Sequence, residues 1–154
     1  MTRKRWVYIG SVAAALGGLS WLAKVAVIVA TDGKVNDEGA AAFFYILGVA
    51  LMILGATAVG VRLAGGRPWW VLAVTVALSP MLFVVSFAIL DSIAKPLVSD
   101  HGPAYWGDEA GILTTGLAWL IIGVGLFWIA HRPDGVGPIA RVRDASGSGR
   151  VMIP

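Results

Sequence analysis

The sequence predicts an all-α membrane protein built as a bundle of four transmembrane helices. The first observation is composition: 58% of the 154 residues are hydrophobic and 14% are charged, whereas a soluble domain is about a quarter charged. The second is that the apolar residues form four stretches long enough for the roughly 20 residues that a spanning helix needs. The stretches are too long for the strands of a membrane barrel and lack their alternation. Helices are the remaining way to satisfy the backbone inside lipid.

The predicted spans together make one transmembrane domain, residues 1–130, with spans at residues 6–30, 40–61, 69–90 and 110–130. The remaining segment, residues 131–154, is rich in Gly, Pro, Arg and Ser. This composition predicts a flexible, basic cytoplasmic tail.

The first span resembles a secretory signal peptide in its basic start, but it differs in length. Its apolar stretch exceeds the roughly 7–15 residues typical of such a segment. Lys24 also stands where a cleavage region is uncharged and small. We therefore expect the first helix to be retained.

The second span is preceded by residues that suit the start of a helix. Asn36 is the predicted N-cap, and Asp37 and Glu38 would lie in the first turn, near the positive end of the helix dipole. The second span ends near Arg62, because a Gly-Gly-Arg-Pro turn over residues 65–68 separates it from the third.

The third and fourth spans have their own local features. Pro80 lies inside the third span, where it removes a backbone donor and predicts a kink. The hydroxyls of Thr75 and Ser79 are near enough to satisfy the freed carbonyls. Asp108 and Glu109 precede the fourth span as helix-starting acids.

Charge asymmetry predicts the orientation. Nine of the 12 Lys and Arg residues fall on the side of the two termini, and seven of the nine acids fall on the other. The positive-inside rule therefore places both termini in the cytoplasm, in a multi-pass protein of the cytoplasmic (inner) membrane. The basic charges are spread over three segments without an aromatic platform, so the predicted partner is the lipid bilayer and not nucleic acid.

The chain also looks like two similar helical hairpins in tandem. Trp6-Val7 and Trp70-Val71 open the first and third spans, and an Asp-Glu pair precedes the second and the fourth. A true repeat would relate the hairpins by an axis along the membrane normal. Low-complexity apolar sequence also produces such matches by chance, so both explanations stay open.

Small residues recur at seven-residue steps in three of the spans. This spacing keeps one face of a helix against a neighbour in a left-handed bundle, and small side chains allow close backbone approach. The stripes predict helix packing within one chain or a face for another subunit; their members are Gly10 and Gly17, Gly48 and Gly55, and Gly116 and Gly123.

Lys24 extends the first stripe by another seven residues, which places it inside the bundle. An intramembrane charge is a candidate functional site. Asp91 is the predicted partner, because the two residues rise roughly 27 and 33 Å above the inner ends of their helices. Asp91 is about 120° around its helix from Ser79, which weakens that pairing. The alternative is that Lys24 snorkels to the outer interface.

The outer side collects acids and one histidine. Carboxylates with a histidine suit a hard or borderline cation, although calcium-loop spacing is missing and several acids suit helix starts. The candidate outer cation site comprises Asp100, His101, Asp108 and Glu109.

No esterase elbow, phosphate loop or zinc-protease motif occurs in the sequence. We therefore predict a non-enzymatic protein without a cofactor or a bound metal, with an enzyme whose polar site escapes motif analysis as the remote alternative. The first hypothesis is an accessory or interaction subunit with a protein partner or a homo-oligomeric arrangement in the membrane.

Two other hypotheses remain. One is an oligomeric channel or small-solute transporter with Lys24 near its outer mouth and a path lined by hydroxyls; these belong to Ser11, Ser20, Thr57, Thr75, Ser79 and Ser86. The other is an outer-face sensor of cations or pH that uses His101 and the nearby acids.

Overall fold

The computed structural model describes residues 3–35, 38–98 and 103–131, with the side chains of Arg3 and Lys4 left out. Within these ranges the chain forms four helices and no strand: α1 (Arg3–Ala30), α2 (Gly39–Leu63), α3 (Trp69–Val98) and α4 (Tyr105–His131). Each is long and apolar enough to cross a membrane. The predicted fold class, an all-α bundle of four transmembrane helices, is confirmed, and the protein is a multi-pass membrane protein.

The helices run up and down, and each packs against its neighbours in the chain. α1 packs most extensively, against α2 on one side and α4 on the other. α3 closes the ring through smaller contacts with α2 and α4. α1 is therefore the most extensively packed helix of the bundle.

The observed helix boundaries differ from the predicted ones mainly at the end of the bundle where α3 ends and α4 begins. α3 is 30 residues long and continues through Pro96 to Val98 instead of ending at residue 90. α4 begins at Tyr105, five residues before the predicted start. α2 begins at Gly39, and Glu38 is the N-cap residue with extended backbone and no side-chain capping bond. Glu38 therefore does not lie in the first turn as predicted; Asn36 and Asp37 lie outside the described residues.

α3 continues as a helix through Pro80 because a neighbouring hydroxyl replaces the missing donor. A residue at position 80 would normally donate its N–H to the carbonyl of Val76. In the structure the Ser79 hydroxyl donates to that carbonyl oxygen at 2.8 Å. One turn earlier, the Thr75 hydroxyl donates to the Val71 carbonyl at 2.7 Å.

The core of the bundle is a cluster of aromatic rings, to which every helix contributes. Trp21 of α1 stacks on Tyr45 of α2 at 5.5 Å and meets Phe83 and Phe87 of α3 edge-on. Phe83 in turn meets Trp119 of α4 at 6.2 Å. The indole N–H groups also bond, Trp21 to the Tyr45 carbonyl and Trp119 to the Ser86 hydroxyl. Such rings combine large apolar area with fixed geometry.

Candidate functional site

A buried ion pair lies one helical turn outward from the aromatic cluster. The Lys24 ammonium of α1 donates to Oε1 of Glu109 on α4 at 2.7 Å. Their side chains are only 4% and 3% exposed. Removing two charges from water is costly, and close pairing offsets that cost. The pair connects α1 and α4 inside the part of the chain that crosses the membrane.

An aromatic ring also lies beside the ammonium group of Lys24. The Lys24 Nζ lies 5.5 Å from the centroid of the Tyr45 ring, within the roughly 6 Å range of a cation–π interaction. Tyr45 is itself held in place by stacking on Trp21. Three helices thus contribute to the environment of one charge.

The site has more hydrogen-bonding capacity than its direct bonds use. Among the residues that the structure describes, Glu109 Oε2 and Thr115 Oγ1 are buried without a hydrogen-bond partner. The ammonium group has three donors. The arrangement can therefore neutralise charge, hold helices together, or bond a further polar group.

The predicted partner of Lys24 was Asp91, and the structure places Glu109 in that position. The Asp91 carboxylate instead lies against Gly111 of α4, where a β-carbon would collide with it. The reason is the position of each residue around its helix axis. Asp91 lies on the side of α3 that contacts α4, whereas Glu109 lies on the side of α4 that contacts α1. Because α4 begins at Tyr105, Glu109 belongs to the body of the helix and is not a solvent-facing cap.

The candidate outer cation site is not assembled by the residues described. Asp100 and His101 lie outside them. Asp108 is 70% exposed and lies 3.7 Å from Lys95, while its neighbour Glu109 points into the bundle. Within residues 3–35, 38–98 and 103–131, no group of three or more potential ligands is close enough to hold a metal ion.

All six stripe glycines lie at contacts with α1 or on α1 itself. Toward α2, the face of α1 that carries Gly10 and Gly17 packs on Ala58 and Met52, and Gly48 and Gly55 pack on Trp21 and Ala14. Toward α4, Gly116 and Gly123 pack on Gly18 and Ala15. At five of these glycines a β-carbon would overlap the opposite helix, and at Gly116 it would lie 3.1 Å from the Gly18 carbonyl oxygen, a tight contact. These glycines allow the backbones to approach closely.

The hydroxyls proposed to line a path mostly bond within the bundle. Ser11, Thr57, Thr75 and Ser86 donate to carbonyls of their own helices. Ser20 of α1 donates to the Phe44 carbonyl of α2 at 2.8 Å. Ser79 of α3 lies 3.1 Å from the Thr57 hydroxyl of α2. The Ser20 hydroxyl therefore links α1 to α2, whereas Ser79 only contacts Thr57, because each of these two hydroxyls donates its single hydrogen within its own helix.

The described residues form a cavity at each end of α4. At the end where α4 begins, a groove of about 210 Å³ between α3 and α4 is almost wholly apolar and includes Ile93, Leu97, Trp106 and Leu113. At the other end, a cavity of about 410 Å³ lies between α1 and α4 and contains Arg5 and His131.

Glu109 is the main residue that the sequence interpretation placed wrongly, although the sequence contains a pattern that finds it. Glu109, Gly116 and Gly123 are seven residues apart. The same step that places Lys24 on the stripe of Gly10 and Gly17 therefore places Glu109 on the facing stripe of α4. Gly18, which packs against the backbone of Gly116 and Leu120, was also missed.

Comparison of the chain with protein-family models, with curated proteins and with solved structures found no match.

Proposed function

We propose that the protein is a non-enzymatic accessory or interaction subunit of a complex in the cytoplasmic membrane. One observation carries the proposal: the unequal burial of the helices. Half of the most apolar segment of α1 is buried within the chain, compared with 11% of that of α3. A helix that contributes so little to its own bundle is available for another protein.

The exposed side of α3 has the chemistry that suits a partner's transmembrane helix. It presents large aliphatic side chains along its length, including Leu82, Val85 and Ile89. The apolar groove between α3 and α4 continues this surface at the outer end. In lipid, such association depends on van der Waals fit and not on exclusion of water. The proposed contact surface is therefore this outward side of α3 with the adjoining groove.

A channel or transporter is the second candidate, favoured by one observation. The unpartnered oxygens of Glu109 and Thr115 lie buried in a membrane-spanning bundle, and polar groups at such depth often mark ion or proton routes. The first candidate has more support, because an ion-paired Lys24 with 4% exposure offers an entering anion little positive charge.

Two measurements test the proposal together. The first is native mass spectrometry of the full chain extracted in mild detergent, where a discrete heteromeric mass is expected. The second is photo-crosslinking from benzoylphenylalanine placed at Leu82 or Ile89 of α3. Matched probes at Ile46 and Leu54 of α2, which are also exposed, serve as controls.

We expect the α3 probes to capture one protein and the α2 probes to capture lipid only. A monomeric mass, with both sets of probes capturing lipid only, would contradict the proposal. A homo-oligomeric mass would favour the second candidate, and ion-flux assays of Lys24→Ala would then decide whether that residue affects conduction.

A further inference from the structure

The cavity at the inner end of the bundle is built from both polar and apolar side chains. It lies between the start of α1 and the end of α4 and is lined by Arg5, Tyr8, Ile9, Ala130 and His131. Its volume of about 410 Å³ falls within the roughly 300–1,000 Å³ of small-molecule sites. The cavity therefore has room for a ligand group and a cation with which to bind it.

Two aromatic side chains on the cavity wall pack against each other and against Phe127. The His131 ring stacks on Phe127 at 4.2 Å, and the Tyr8 ring lies 5.6 Å from it. The His131 Nδ1 lies 3.0 Å from the Phe127 carbonyl oxygen. Because a carbonyl oxygen only accepts, Nδ1 carries the hydrogen, and Nε2 is the ring nitrogen left for a ligand.

The position of the cavity along the helices matches the lipid headgroup region. α1 has 28 residues, a length of about 42 Å at 1.5 Å per residue. The hydrocarbon core is only about 30 Å thick, so α1 extends beyond it, and Arg5 lies in the first turn of this helix. Trp69 and Trp70, at the same end of the bundle, are exposed, as is typical of a membrane interface.

We propose that this cavity binds the phosphate of an anionic phospholipid such as phosphatidylglycerol. The Arg5 guanidinium bonds the phosphate oxygens, and the Nε2 of His131 can accept a hydrogen bond from a hydroxyl of the headgroup glycerol. Tyr8, Ile9 and Ala130 lie along the glycerol and the upper acyl chains. These apolar walls favour a lipid over free phosphate, and basic sites between helices at the cytoplasmic side are known to suit anionic headgroups.

The proposal is independent of the accessory role and adds a second link between α1 and α4. The Lys24–Glu109 pair connects these helices toward one end, and the bound phospholipid would connect them at the other. A partner subunit on α3 is neither required nor excluded by this site.

The test compares lipid retention by the full chain and by single variants. Each protein is placed in nanodiscs of mixed phosphatidylcholine and phosphatidylglycerol, and bound lipid is identified by native mass spectrometry. We expect the wild type to retain phosphatidylglycerol selectively. Arg5→Gln should weaken this binding by about tenfold, since a charge-assisted hydrogen bond is lost. The control Arg62→Gln removes the same charge from an exposed position at the same end and should change binding less than about twofold.

A second variant removes the open space of the cavity but leaves its charged residue in place. Ala130→Trp fills the space while keeping Arg5 and His131, and it should also abolish selective retention. Melting temperatures in phosphatidylcholine alone verify that the variants fold. Equal weakening by Arg5→Gln and Arg62→Gln would overturn the proposal, as would retention of phosphatidylcholine to the same extent. Displacement of the lipid by millimolar inorganic phosphate would instead indicate a site for free phosphate and would also overturn it.

Discussion

α1 and α3 have similar composition but opposite places in the bundle. Both are long, apolar helices, yet half of the most apolar segment of α1 is buried and only 11% of that of α3. The difference follows their small residues. α1 contains Gly10, Gly17 and Gly18, each in close contact with a neighbouring helix, whereas α3 contains no glycine. Overall apolarity determines that a helix enters the membrane, and glycine content determines how closely its neighbours approach.

Two pairs of matched polar residues, the lysines and one serine from each helix, differ in the same way. On α1, Lys24 and Ser20 bond to other helices. On α3, Lys95 makes a 3.7 Å exposed contact, and Ser92 donates to its own helix at Ile89. Equivalent substitutions on the two helices should therefore have different effects, which we order from the largest to the smallest.

The largest difference is expected between the two lysines. Lys24→Met leaves Glu109 buried without its partner and should cost about 3–5 kcal/mol of unfolding free energy. Lys95→Met removes a surface pair whose side chains are 53% and 70% exposed and should cost less than about 1 kcal/mol. Reversible unfolding in mixed detergent measures both values.

The double variant Lys24→Met with Glu109→Leu sharpens this prediction. Replacing both charges by apolar side chains should recover most of the lost stability. If the double variant is as unstable as Lys24→Met alone, the isolated buried charge is not the cause of the loss.

The next difference concerns steric fit. Gly18→Leu directs a side chain at the backbone of Gly116 and Leu120, so α1 and α4 must separate. We expect a loss of about 1–3 kcal/mol or more, seen as a lower melting temperature. Ala77→Leu makes a similar enlargement at an exposed position of α3 and should leave the melting temperature unchanged. Equal effects would mean that α3 is as tightly enclosed as α1.

The smallest difference is expected between two serines. Ser20→Ala removes the bond to the Phe44 carbonyl, and interhelical bonds of this kind average about 0.6 kcal/mol in membranes. Ser92→Ala removes a bond within its own helix on an exposed surface and should be neutral. The same unfolding assay applies, and a larger loss for Ser92→Ala would reverse the ranking of the two helices.

The number of helices was predictable because it depends on local composition. The outer boundaries were not, because hydropathy defines the hydrocarbon layer and not the end of the helix. The predicted third span ended at residue 90, where the apolar stretch gives way to Asp91 and Ser92, yet α3 continues to Val98. A helix needs no apolar side chains once it emerges into the polar interface, so its length exceeds that of the apolar segment.

The partner of Lys24 shows where the sequence interpretation failed and why. Height along the helix favoured Asp91, but pairing also requires the correct rotation about the helix axis. Glu109 meets both conditions through its seven-residue spacing from Gly116. An acid at the predicted start of a span also fits a helix-starting role, so this position by itself does not indicate a buried partner for Lys24. The stacking of Tyr45 beneath the ammonium depends on side-chain packing among three helices, for which the sequence contains no local pattern.

The separation of the buried pair along the chain has a consequence for biosynthesis. Lys24 and Glu109 are 85 residues apart, and translation at roughly 5–20 residues per second makes that interval about 4–17 s. During this interval α1 has been synthesised, but Glu109, whose carboxylate pairs with Lys24, has not. The nascent lysine must keep its amine at the bilayer surface or be shielded by the insertion machinery. α1 can therefore reach its final position only after α4 has been made and inserted.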